Sequence, residues 1–232
     1  MKRVKLVLVL IFVAAVSLNV VTIDKNNYKM ALATSTPSKT VVLDAGHGGF
    51  DGGAVADDGT LEKDINLSIT LKLKAFLKQG GFNVITIRET DTGIENDTSQ
   101  TIAKRKVSDM KKRLEIINSN PDALFVSIHL NKFTTSSVKG AQVFYSNNRE
   151  ESETLAEAVQ KSVKSLLQPE NKRTIKSADR SIYLLKNAKI PAVIIECGFL
   201  SNQKELLLLK TDEYQKQMAF SIYCGILDYN NF

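Results

Sequence analysis

Histidine occurs twice in this chain of 232 residues, at His47 and His129. His47 lies in a glycine-rich stretch, Gly46-His-Gly-Gly-Phe-Asp-Gly-Gly53, directly after a short apolar run, and His129 closes a second run that starts at Ala123. Two carboxylates are placed in a comparable way. Glu62 opens a helical pattern that leaves the glycine stretch, and Glu196 closes Ile190-Pro-Ala-Val-Ile-Ile-Glu196. A single histidine is more often a satisfied core or surface residue. A pair with no third in the chain, at separate strand ends beside two carboxylates, points instead to one shared site. Two neutral imidazoles and a carboxylate are a ligand set that leaves zinc an open position for water. A carboxylate after Val193-Ile-Ile195 needs a partner if buried, because an unpaired buried charge is very costly. A metal, or a water whose proton it takes, would be such a partner.

The elements that must position these groups follow from the hydrophobic pattern. Runs at 40–44, 82–88, 123–129, 141–145, 181–185 and 190–196 predict strands, the last apolar enough to be central. Ile65, Ile69, Leu73, Phe76 and Leu77 repeat at helical spacing from about residue 60, and Gly80-Gly81 ends that helix. Further helices are predicted over 98–118, 150–167, 203–210 and 212–228. Strands alternating with helices predict an α/β fold: a single domain over 40–229, with a largely parallel central sheet flanked by helices on both faces. In such sheets functional groups gather beyond the carboxyl ends of the strands. That is where His47, His129 and Glu196 fall.

Composition narrows the function classes. An apolar fraction of 43% excludes disorder, and two cysteines cannot build a disulfide scaffold or a four-thiolate metal site. The net charge of +6 is concentrated at the start; beyond residue 33 the chain holds 26 basic and 24 acidic residues. A nucleic-acid partner is therefore not expected. The glycine stretch lacks the third glycine of a dinucleotide loop, Asp51 standing there, and no P-loop motif is present. Cys197 is a weaker candidate for a thiol nucleophile, since it alternates away from Glu196 along the strand. The basic run Lys104–Arg113, interleaved with acidic and apolar residues, reads as a solvated helix face, with contact to an anionic polymer as its functional alternative.

Lys2, Arg3 and Lys5 precede Leu6–Val16, a run with no polar residue. This reads as a secretory signal peptide or an N-terminal membrane anchor within residues 1–33, followed by a linker at 34–39. Membrane contact is expected only through this segment, and the remainder is expected to work in the cell envelope, outside the cytoplasmic membrane.

The segments 41–54, Glu62-Lys-Asp-Ile-Asn66, Ser127-Ile-His-Leu-Asn131 and Glu196-Cys-Gly-Phe-Leu-Ser-Asn202 resemble, in order, the signature of the zinc-dependent N-acetylmuramoyl-L-alanine amidases with an AmiC-like catalytic domain. The resemblance covers about residues 40–229. It implies that peptidoglycan is the substrate, that His47, Glu62 and His129 hold zinc, and that Glu196 is catalytic. Glu196 would take the proton of a zinc-activated water and pass it to the departing amino group of L-alanine. Asp44 and Asn131 are candidates for supporting the ligands or touching substrate, with plain strand-end hydrogen bonding as the alternative. The short form of the chain resembles the spore-cortex members of the CwlD type. This implies a place in muramic-lactam formation, in the forespore envelope space, with an accessory or regulatory envelope protein as a further partner. Two other classes compete: another zinc hydrolase of the envelope (a peptidase or deacetylase), and a catalytically silent wall-binding protein.

Overall fold

The computed structural model describes residues 40–96 and 99–230; the expected signal, anchor and linker lie outside them. Strand β1 (Thr40–Ala45) is parallel to β2 (Asn83–Thr86) on one side and to β3 (Ala123–Asn131) on the other. β3 is parallel to β6 (Ala192–Phe199). β4 (Gln142–Tyr145) pairs antiparallel with β6, and the two-residue β5 (Lys176–Ser177) closes that edge, giving the order β2-β1-β3-β6-β4-β5. The expected fold class is what the structure shows, with β4 and β5 running antiparallel to the other four strands of a largely parallel sheet.

Period-two alternation divides the strand residues between two cores. Val41, Leu43, Leu124, Val126, Ile128, Val193 and Ile195 point to one face. There they meet α1 (Glu62–Gln79), α3 (Glu150–Leu166), α5 (Gln203–Leu209) and α6 (Asp212–Asn230). Val42, Phe125, Ala192 and Ile194 point to the other face, covered by α2 (Ile102–Asn118) and the short α4 (Tyr183–Asn187). Ile65, Ile69, Leu73 and Leu77, spaced four apart, are the inward stripe of α1. Among the described residues no helix is long and apolar enough to cross a membrane.

One predicted strand is corrected. Residues 181–185 do not extend; Tyr183–Asn187 is helical, and adjacent Leu184 and Leu185 are both buried, as one helical stripe allows and one strand face does not. Asp179 starts the turn, accepting hydrogen bonds from the backbone N–H (2.8 Å) and hydroxyl (2.5 Å) of Ser181.

Candidate active site

His129 and Glu196 are direct neighbours across β3 and β6, and Asp44 and Ser127 occupy the same relation across β1 and β3. All four side chains therefore leave the sheet on the α2/α4 side near its carboxyl end. His47 follows β1 by two residues, and Glu62 is the first residue of α1. Acidic Glu62 and Asp64 suit that position, where the helix dipole favours negative charge. The fold thus draws His47, Glu62 and His129 together, with one ligand atom from each within 4.8 Å of the others.

Glu62 is the organising residue. Its Oε1 accepts from the Leu130 backbone N–H (3.1 Å) and Asn66 Nδ2 (3.1 Å) and lies 3.0 Å from His129 Nδ1. Its Oε2 accepts from the Ala54 N–H (2.8 Å) and lies 3.2 Å from His47 Nε2. Burial by itself would raise this carboxyl's pKa, but the His129 and His47 contacts outweigh it and hold the group well below the usual carboxylate range. Burial likewise opposes protonation of His47. Its hydrogen bonds to Asp51 (2.9 Å from Nδ1) and Glu62 prevail, raising its pKa to about 9.

Glu196 lives in the opposite environment. Its Oε2 is shielded from solvent and has no hydrogen-bond partner, and burial pushes its pKa up to about 7. Two carboxylates at one rim are thereby separated: one locked as an anion, the other poised to exchange a proton near neutrality. Cys197 points into the opposite core, fully buried, with its thiol pKa pushed up by burial, which removes the thiol-nucleophile alternative.

The glycine stretch is shaped by close approach. His47 has a φ of +63°, the one non-glycine residue with positive φ among the described residues. A Cβ on Gly46 would fall 2.2 Å from the His129 ring. Gly53, at φ +68°, would place a Cβ 2.6 Å from Glu62 Oε2 and 2.7 Å from His47 Cδ2. Side chains at either position would occupy the space of the ligand groups.

Two buried arginines that sequence reasoning missed hold this stretch in place. Arg113 forms an ion pair with Asp44 and another with Asp109 (2.5 Å), and donates to the carbonyls of Ala45 (3.2 Å) and His47 (2.7 Å). Arg88 donates to the carbonyls of Ala45 (2.8 Å), Gly46 (3.0 Å) and Lys63 (2.9 Å). The reading of Lys104–Arg113 as a solvated face is therefore corrected at its end: Arg113 is 2% exposed. The Arg113 position, four residues after Asp109, was the available signal. Asp44 is buried between Arg113 and the Ser127 hydroxyl (2.7 Å). Asn131 is half-buried, and its carbonyl accepts from the Leu200 N–H (2.8 Å). A pocket of 240 Å³ opens beside His47 and His129, floored by Asp44 and Ile194 and walled by Ile182 and Tyr183.

Two imidazoles and an ionised carboxylate converging beyond the carboxyl ends of a parallel sheet define a candidate metal-hydrolase site, and the whole-chain comparison fixes its class. The family model of N-acetylmuramoyl-L-alanine amidases matches residues 41–228, and the chain belongs to that family. Within it, the chain is a peptidoglycan amidase of the CwlD type. It is 39% identical over 193 residues to the germination-specific N-acetylmuramoyl-L-alanine amidase of Bacillus subtilis, a match spanning 82% of this chain and 79% of that protein. The CwlD amidase from Clostridioides difficile, solved in complex with the GerS lipoprotein, superposes with a TM-score of 0.80 at 44% identity, over 84% of this chain and 99% of that one. The AmiC2 amidase of Nostoc punctiforme superposes at 0.72 with 31% identity, over 84% and 98% of the two chains.

Proposed function

We propose that this amidase is zinc-dependent, with His47, Glu62 and His129 as ligands and Glu196 as the catalytic acid–base, and that it acts on spore-cortex peptidoglycan. The observation that carries the reading is the cluster itself: three donors of the type zinc accepts, within 4.8 Å of one another, beside a buried carboxylate oxygen with no partner. Zinc held by three protein ligands polarises a carbonyl and lowers the pKa of a bound water to about 7.

The remaining work falls to the chain. The two backbone N–H groups and Asn66 that bind Glu62 fix its orientation, and the His129 and His47 contacts keep it anionic. Asp51 Oδ2 accepts a hydrogen bond from His47 Nδ1, so that the ring presents Nε2 toward Glu62. Glu196, with a pKa near 7, removes a proton from the attacking water and returns it to the amino group of L-alanine as the amide bond breaks. Asp44, itself paired with the Ser127 hydroxyl, holds Arg113, whose Nη2 donates to the His47 carbonyl and supports that backbone. Asn131 stands at the substrate rim beyond His129.

The domain spans about 40–229, preceded by an export signal or anchor at 1–33 and a linker at 34–39. The germination-specific relative supports a role in cortex maturation through muramic-lactam formation, in the forespore envelope space. The GerS lipoprotein bound to the Clostridioides difficile relative supports an accessory envelope protein as a partner of this chain. The test is metal content together with amide cleavage: one zinc per chain in the wild type, most of it lost in His129→Ala. Retention of full zinc by that variant under dilute metal would overturn the ligand assignment.

A further inference from the structure

Beyond the site's centre, one more buried polar atom is left without a partner on the Glu196 side: Nε of Arg173. Arg173 precedes β5, at the sheet edge beyond β4. Its Nη2 donates to Gln142 Oε1 (2.6 Å), and Gln142 is the cross-strand neighbour of Glu196 on β4. The guanidinium lies over the Phe199 ring, 5.0 Å from its centroid, at the end of the strand that carries Glu196. Its charge reaches Glu196 and Glu205, yet among the described residues it forms no ion pair. It is held from two sides and half-buried: Nε is shielded from solvent, and Nη1, which makes no hydrogen bond among the described residues, is the donor left for a ligand. Arg173 also lines a 510 Å³ cavity that opens along α3.

Strand order gives this residue a direction. Across the sheet the sequence is His47 after β1, His129 on β3, Glu196 on β6, Gln142 on β4, then Arg173. An acid–base that protonates the leaving amine faces the peptide half of the amide, so groups beyond Glu196, away from the proposed ligands, face the stem peptide. We propose that Arg173 is a substrate-binding residue that takes a free carboxylate of the stem peptide, just beyond the scissile amide, and thereby selects acidic over amidated stems. A planar guanidinium with a free N–H is suited to a carboxylate and poorly suited to a neutral amide. The assignment rests on the amidase reading.

The experiment uses zinc-loaded protein and two sets of glycan strands, identical except that the second stem residue carries its α-carboxylate free or amidated. Wild type is expected to prefer the free acid. Arg173→Gln should lose about 10- to 100-fold in kcat/KM on the acid and little on the amide, with zinc content and melting temperature unchanged. Arg173→Lys should recover part of the preference. Equal losses on both strands would show a merely structural role through Gln142 and overturn the assignment, as would a wild type without preference for the acid. Zinc-loaded wild type that cleaves neither strand would overturn the amidase reading, and this assignment with it.

Discussion

Replacing Arg113 by methionine keeps its apolar stem and removes every charged hydrogen bond it makes. Asp44 would retain only the Ser127 hydroxyl, and Asp109 the Ile94 N–H (2.8 Å). The carbonyls of Ala45 and His47 would each lose a donor. Removing one partner of a buried ion pair costs about 3–5 kcal/mol, because the remaining charge is stranded. For a domain of this size that corresponds to a fall in melting temperature of roughly 6–20 °C. The effect should reach the site, since the His47 carbonyl is the tether of a residue held at positive φ, a conformation that costs about 1–3 kcal/mol to maintain. Zinc affinity should weaken along with stability. Adding Asp44→Asn removes the deeper of the two stranded charges, so the double variant should melt above Arg113→Met alone. Calorimetry of the metal-free proteins and competitive zinc titration measure both effects. A loss below about 1 kcal/mol, the value of an exposed pair, would refute the reasoning, as would a double variant that falls by the sum of the two single losses.

The two site glutamates should separate by readout. Glu196→Gln is expected to keep its zinc and its fold and lose at least about 100-fold in rate, the scale of general acid–base catalysis; zinc content, melting and amide cleavage check this. Glu62→Gln should lose metal affinity and activity together, and a variant of normal zinc content would exchange the assigned roles. In metal-free protein His47 titrates near 9 instead of 6.5, burial being outweighed by Asp51 and Glu62. The stability its charge brings is complete below pH 6.5 and is lost as the pH rises through about 9. The melting temperature should fall across that window, and His47→Gln should flatten the fall.

The strands and the site could be read from the sequence for the same reason: a buried parallel strand is a continuous apolar run, and the polar residue that ends it is conspicuous. His129 and Glu196 were visible in this way, and Glu62 by its place at the start of an amphipathic helix. Arg113 and Arg88 were not, because a long basic side chain on a helix or after a strand usually reaches solvent. Only the packed structure shows that α2 lies against Asp44. The helix at Tyr183–Asn187 was hidden for a related reason. Five residues are too few to show a helical period, and Ile182-Tyr-Leu-Leu185 carries β-prone residues. Arg173 lies in a stretch with neither strand nor helix pattern, and its relation to Glu196 depends on the antiparallel pairing of β4 with β6, which one-dimensional alternation does not encode.

The central claim is that this chain hydrolyses the bond between muramic acid and L-alanine through a zinc site. Purified peptidoglycan incubated with zinc-stripped and zinc-restored protein, and analysed by mass spectrometry for the new ends, addresses it directly. The account predicts free L-alanine amino termini and matching muramic carboxyl groups, appearing in proportion to zinc restored. New ends at any other bond, or cleavage at that bond indifferent to zinc, would contradict it.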